Sequence, residues 1–401
     1  MESFSFSFDQ QMNRQIILHK IAKSSTETDL LDALQLQTSN LPPLKPGKVR
    51  VQIHYASLNF ADVLVVQGKY QERPTLPASL GSECSGVIYE IHESITSKSI
   101  PSSTSNNTMK SIIQHDLKLG QHVLVVCTTN TGAGAFADFI DVYPNQVFPI
   151  PSPMMNLPIA AGFAVAAGTA HIALVDRANI KAGETVVITG ASGGTGMYAC
   201  LIAKALGCRV VATARGEEKV KFVKSLVGAD DVVINLKYKN DKSSNQSQPY
   251  QELIRAVLQI NKMGAQVIYD TVGGGGLLFK TLLKCAKWKC RLCIVGFASG
   301  NIPKVPTNIL LVKNSSVVGV YWGNYFKNEP ETVVKSLFEL FHLVESKRLP
   351  LHNIPTSQFQ WDLKDLAVAL SALAHGKTHG KVLIKCFDKG VKSETQILSK
   401  L

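Results

Sequence analysis

Val187 to Lys204 reads VITGASGGTGMYACLIAK: a short β-branched apolar segment, a cluster of glycines, then an apolar-periodic helix. Within it, Ala191-Ser192-Gly193-Gly194-Thr195-Gly196 follows the dinucleotide fingerprint G-x-G-x-x-G, with alanine in the first place. A glycine at Gly193 lets backbone N–H groups approach a pyrophosphate. A helix starting near Gly194 offers its positive end to phosphate charge, and Gly196 lets that helix pack closely on a sheet. A tight strand-to-helix turn with no ligand uses the same letters, but six strand segments in the right order favour nucleotide binding. The second of these strands ends VVATAR, so Arg215 stands where an NAD-binding acid is expected, and Lys219 follows. A guanidinium there suits a 2′-phosphate in charge and in bidentate geometry. The expected cofactor is NADPH.

Other constellations carry less. Thr189, Gly190, Gly194 and Gly196 also fit the T-G-x-x-x-G-x-G signature of short-chain dehydrogenases. That family needs a catalytic Tyr-x-x-x-Lys held on a helix, and Tyr238-x-x-x-Lys242 falls in a polar stretch. Cys290 and Cys293 have C-x-x-C spacing, yet CRLCIVG reads as a strand, on which residues three apart point to opposite faces. No second pair completes a zinc site. His375 and His379 are separated by a glycine and read as a turn before the last strand. Most of the eight cysteines lie in apolar segments, as free buried thiols do.

These groups need elements to hold them. The first 160 residues read as short strands punctuated by turns, among them KVRVQIHYA, SGVIYEIHE and HVLVVCTT. From about Ala160, strands alternate with helices through TVVITG, RVVATA, DVVINL, QVIYDTV, RLCIVGF and SVVGVYW. That order predicts an α/β fold with a doubly wound parallel sheet of six strands. Amphipathic helices follow around 330–347 and 362–375, and the strand KVLIKCF closes back on the first domain. The division is 1–163 for the β-rich catalytic domain, 164–322 for the nucleotide domain, 323–388 for the C-terminal return and 389–401 for a polar tail. Two Ser/Asn/Lys-rich stretches, 93–116 and 237–250, read as exposed loop insertions.

Composition excludes several classes. No run of apolar residues is long enough to span a bilayer. The start MESFSFSFDQQMNRQIILHK lacks a basic segment leading into an apolar one, which argues against a secretory signal. The net charge is +12, but the lysines are scattered rather than blocked, so a basic solvated surface outweighs nucleic-acid binding. The chain ends Ser399-Lys400-Leu401, the peroxisomal address read by the import receptor. The expected location is the peroxisome, with the cytoplasm as alternative.

The segments SLNFADVLVVQGKY (57–70), GSECSGVI (81–88), GAGAFADF (132–139), TGASGGTG, YDTVGG (269–274) and IVGFASGNIPKVPTNILLVKNSSVVGVYWG (294–323) resemble the zeta-crystallin-like quinone oxidoreductases. These belong to the medium-chain dehydrogenase/reductase superfamily. The resemblance implies a GroES-like catalytic domain beside a Rossmann domain, and a homodimer joined along the edge strand SVVGVYW. Zinc enzymes of the superfamily bind their metal with Cys, the His of Gly-His-Glu and a further Cys. Here Asn59 and the Ser82 of Gly81-Ser82-Glu83 stand at the first two places, so no metal site is expected. The implied activity is zinc-free hydride transfer from NADPH to a quinone or enone. Reduction of a 2-enoyl thioester such as an enoyl-CoA is the alternative, and a non-catalytic, crystallin-like or RNA-binding role is a third reading.

The resemblance places Asn59, Asp62 and Tyr70 at the cleft. Asn59 or Tyr70 would donate to the carbonyl, while Asp62 fits a helix-capping role equally well. It places Thr169 beside the nicotinamide and Ser192, Gly193, Gly194 and Thr195 at the phosphates. Gly296, Phe297, Val320, Tyr321 and Trp322 then lie at the nicotinamide end. Leu64 stands where many relatives carry tyrosine, and Leu236 follows Asn235 where a tyrosine is common.

Overall fold

The computed structural model of the chain describes residues 12–95, 117–127, 134–151, 153–228, 231–236, 248–274, 276–351, 354 and 356–387. The tripeptide Ser399-Lys400-Leu401 and most of both insertions lie outside them.

The N-terminal half is antiparallel β structure. Strands β1 (Met12–Leu18), β2 (Leu34–Asn40) and β4 (Ala78–Ser79) form one sheet, in the order β2-β1-β4. A larger sheet is built on β3 (Val49–Leu58), β5 (Glu83–Ile91), β6 (His122–Val126), β7 (Phe139–Val142) and β8 (Val147–Pro149). Alternate residues of β3 and its neighbours, Val49, Val51, Ile53, Val123, Val125 and Val142, face one apolar core.

The nucleotide half is a parallel sheet of β9 (Thr185–Ile188), β10 (Arg209–Ala214), β11 (Val232–Asn235), β12 (Ala265–Asp270), β13 (Ala286–Ile294) and β14 (Ser316–Gly319). Their spatial order, β11-β10-β9-β12-β13-β14, is the doubly wound arrangement. Its central strands β9, β10 and β12 are almost wholly buried because both faces of the sheet are covered there. Val186 and Ile188 face the core under helices Ala164–His171, Gly194–Ala205 and Pro330–Glu345, while Val187 faces the core under helices Gln248–Ile260 and Leu277–Cys285. Cys290 and Cys293 divide between these two cores, on opposite faces of β13.

Two boundaries differ from expectation. Gln248–Tyr250, read as the end of the second insertion, are the opening turn of helix Gln248–Ile260. Pro249 fits there because the first N–H groups of a helix need no intrahelical partner. Helix Pro330–Glu345, placed by the sequence in the C-terminal return, instead packs on the nucleotide side, with Val333, Leu337 and Leu340 in the core that contains Phe163 and Ala167. The return consists of β15 (Thr356–Gln360), helix Leu363–Ala374 and β16 (Lys381–Lys385), and β16 pairs antiparallel with β3.

Candidate active site at the domain junction

The glycine loop joins β9 to helix Gly194–Ala205. Gly190 takes φ +61°, and Gly193, at the N-cap, donates its N–H to the Gly190 carbonyl at 3.0 Å. A Cβ on Gly196 would lie 2.4 Å from the Gly190 oxygen, so only glycine lets the helix sit this close to the loop. A Cβ on Gly193 would meet nothing nearer than 3.5 Å, so the space on its side-chain face is open. Ser192 is buried, whereas Gly194 and Thr195 stand at the first turn of the helix.

Arg215 follows the last residue of β10 and is exposed. Lys219 lies on helix Glu217–Val227, where burial and then the charge of Arg215 lower its pKa. An anion between the two cations would relieve that repulsion. Lys219 donates to the Gly376 carbonyl, whereas Arg215 has no hydrogen-bond or ion-pair partner among the described residues.

The residues expected at the nicotinamide lie at the carboxyl ends of parallel strands or just beyond. Gly296 and Phe297 follow β13, Val320 and Tyr321 follow β14, and Trp322 opens the next helix. Trp322 is buried with its indole N–H unpartnered among the described residues, and a Cβ on Gly168, beside Thr169, would lie 2.7 Å from that nitrogen. The catalytic domain closes the cleft from the other side. Tyr70 meets Tyr321 edge to face, with ring centroids 6.2 Å apart. Burial raises both phenol pKa values.

At the floor of the junction is a buried polar cluster. Asn59 caps helix Phe60–Val66, and its N–H donates to Asp62 Oδ2 at 2.7 Å. Ser82 Oγ donates to Asp62 Oδ1 at 3.4 Å. Asp62 therefore caps the helix, and its burial pushes its carboxyl up to about 7 against the hydrogen bond from Asn59. The Asn59 side chain, expected to be open to a substrate, is largely engaged. Its Nδ2 donates to Glu83 Oε1 at 3.0 Å, and its Oδ1 accepts from Lys381 Nζ at 2.8 Å. Lys381 Nζ also donates to Glu83 Oε1 at 3.0 Å and to the Leu58 carbonyl at 3.4 Å. Glu83 Oε2 accepts the Val165 N–H at 2.9 Å. Glu83 and Lys381 are 1% and 4% exposed, so each ion depends on the other.

Nothing in the sequence singles out Lys381. It opens an alternating strand, KVLIK, in which a lysine reads as an exposed end; only the pairing of β16 with β3 turns it inward.

Residues 45–152 match the alcohol dehydrogenase GroES-like domain, and residues 194–339 match the zinc-binding dehydrogenase domain. The chain is 31% identical over 372 residues to the quinone oxidoreductase-like protein 2 homolog of Nematostella vectensis, covering 92% of this chain and 88% of that one. The chain belongs to the quinone oxidoreductase-like medium-chain reductases. The Escherichia coli quinone oxidoreductase, solved as an NADPH complex, shares the fold of this family member with TM-score 0.69 at 22% identity, over 93% of this chain and 99% of that one. The CurK enoyl reductase shares it with TM-score 0.70 at 19% identity, over 92% and 99%.

Proposed function

We propose that the chain reduces quinones or α,β-unsaturated carbonyls by zinc-independent hydride transfer from NADPH. The observation that carries zinc independence is the Lys381 ammonium. It lies 2.8 Å from Asn59 Oδ1 and is paired to Glu83, beside the positions where zinc relatives present metal ligands. A fixed cation repels a divalent metal, and the amide and hydroxyl of Asn59 and Ser82 are poor substitutes for thiolate and imidazole. The donor set does not fit zinc.

The residues fit the cofactor. A Cβ on Gly193 would meet nothing nearer than 3.5 Å, helix Gly194–Ala205 starts at the loop, and the exposed Arg215 follows β10. Reduced nicotinamide supplies a hydride when bound. The chain's contribution is then to orient donor and acceptor and to polarise the acceptor oxygen. The second amide N–H of Asn59 and the hydroxyl of Tyr70 are the donors available for that oxygen.

The test is an NADPH oxidation screen with 1,2- and 1,4-quinones, alkenals and crotonyl-CoA, run in parallel with NADH. Turnover with quinones or alkenals and a preference for NADPH are expected. Turnover with crotonyl-CoA alone would favour thioester reduction. We also propose peroxisomal delivery through Ser399-Lys400-Leu401. A fluorescent protein fused ahead of the chain is expected to be punctate and to turn diffuse without Leu401; diffuse signal in both forms would reject the address.

A further inference from the structure

Lys381 belongs to two places at once. Its neighbour Gly380 is stitched to the glycine loop, with the Gly380 N–H donating to the Ser192 carbonyl at 2.8 Å and a parallel bridge between Gly193 and Gly380. Its side chain runs between two glycines. A Cβ on Gly162 would lie 2.7 Å from Lys381 Cε, and one on Gly194 would lie 2.8 Å from Lys381 Cδ. The ammonium then ends on Asn59, Glu83 and Leu58, giving its three N–H groups three acceptors. Asn59 opens helix Phe60–Val66, and Glu83 continues the chain of bonds to Val165, in the first turn of the helix that carries Thr169.

A fully satisfied buried ion pair has one low-energy arrangement, because shifting either partner leaves a charge unpaired in a dry site. We propose that Lys381 is a positioning residue, carrying the occupancy of the glycine loop across the domain junction to the start of helix Phe60–Val66. The inference rests on the reading that the loop seats NADPH. A pyrophosphate that orders Ser192–Gly194 also orders Gly380 and the lysine stem under Gly194. The ammonium then fixes Asn59 and Glu83 on the acceptor side. No contact between cofactor and that helix is required.

The experiment is amide hydrogen exchange by mass spectrometry on the full chain, with and without 2′-phospho-ADP-ribose. This probe carries the pyrophosphate and the 2′-phosphate but no nicotinamide. In the parent, binding is expected to slow exchange in residues 190–197 and also in 59–66. The double variant Lys381→Met/Glu83→Gln removes both charges and leaves no unpaired buried ion, so it is expected to fold. It should protect 190–197 and not 59–66. Lys381→Arg, too broad for the passage between Gly162 and Gly194, is a second variant that should give the same split. With NADPH deuterated at the transferred position, either variant should show kcat lower by about ten- to hundredfold. The isotope effect on kcat should also be larger, which a reduced folded fraction would not produce. Protection of 59–66 that survives in the variants, or that is absent in a parent whose loop is protected, overturns the coupling. A parent loop that the probe does not protect overturns the cofactor reading and the inference with it.

Discussion

Among the described residues, Asp62 has no cation in direct contact. It is 3% exposed and holds the N–H of Asn59 and the hydroxyl of Ser82, with Glu83 and Lys381 in the same cluster. Its folded pKa of about 7 lies above the ordinary 3.8, chiefly through burial. The stability this provides is complete below the unfolded value and is lost as pH rises through about 7. Asp62→Asn keeps the shape without the charge. From pH 4 to 8 the parent should therefore lose roughly 2–4 kcal/mol relative to the variant. Denaturant unfolding of both proteins across that range checks this, and parallel pH profiles would contradict it. The sequence alone pointed to this residue and left its role between cap and cleft. Arg215 was likewise legible, because it replaces an acid at a known place on a strand end. Glu83 and Lys381 were not, since their importance comes from pairing across 298 positions of chain.

The glycine loop and the helix after it form the most constrained element of the site. A side chain at Gly196 would enter the Gly190 carbonyl and lie 2.9 Å from Ala191 Cα, both backbone atoms that move only with the loop. Gly196→Ala is expected to destabilise the fold by about 1–3 kcal/mol and to weaken NADPH binding. Thermal unfolding and a cofactor titration measure the two effects, and an unchanged affinity would mean that the loop tolerates displacement. The loop was legible from its spacing because backbone approach to phosphate needs glycine in fixed places. The six strands were legible from short apolar runs that alternate with helical segments. The packing of helix Pro330–Glu345 was not, because amphipathicity shows that a face is buried without showing against what.

At the scale of the molecule, β14 ends the parallel sheet among the described residues, and helix Thr307–Lys313 ahead of it has no fully buried residue. Leu311 and Val312 are 79% and 66% exposed, which is costly for a solvated surface and well suited to a second copy continuing the sheet. A homodimer is the expected state by light scattering at micromolar concentration, and Leu311→Glu with Val312→Glu should shift it towards monomer. A monomeric parent would contradict the edge-strand interface.

The central proposal is hydride transfer without a metal, at a junction that a buried lysine completes. The most direct measurement is NADPH oxidation with a quinone or alkenal acceptor, by protein dialysed against a strong chelator and assayed for metal content. Undiminished turnover by protein without stoichiometric zinc is the predicted result. Turnover that disappears on chelation and returns with added zinc would contradict it.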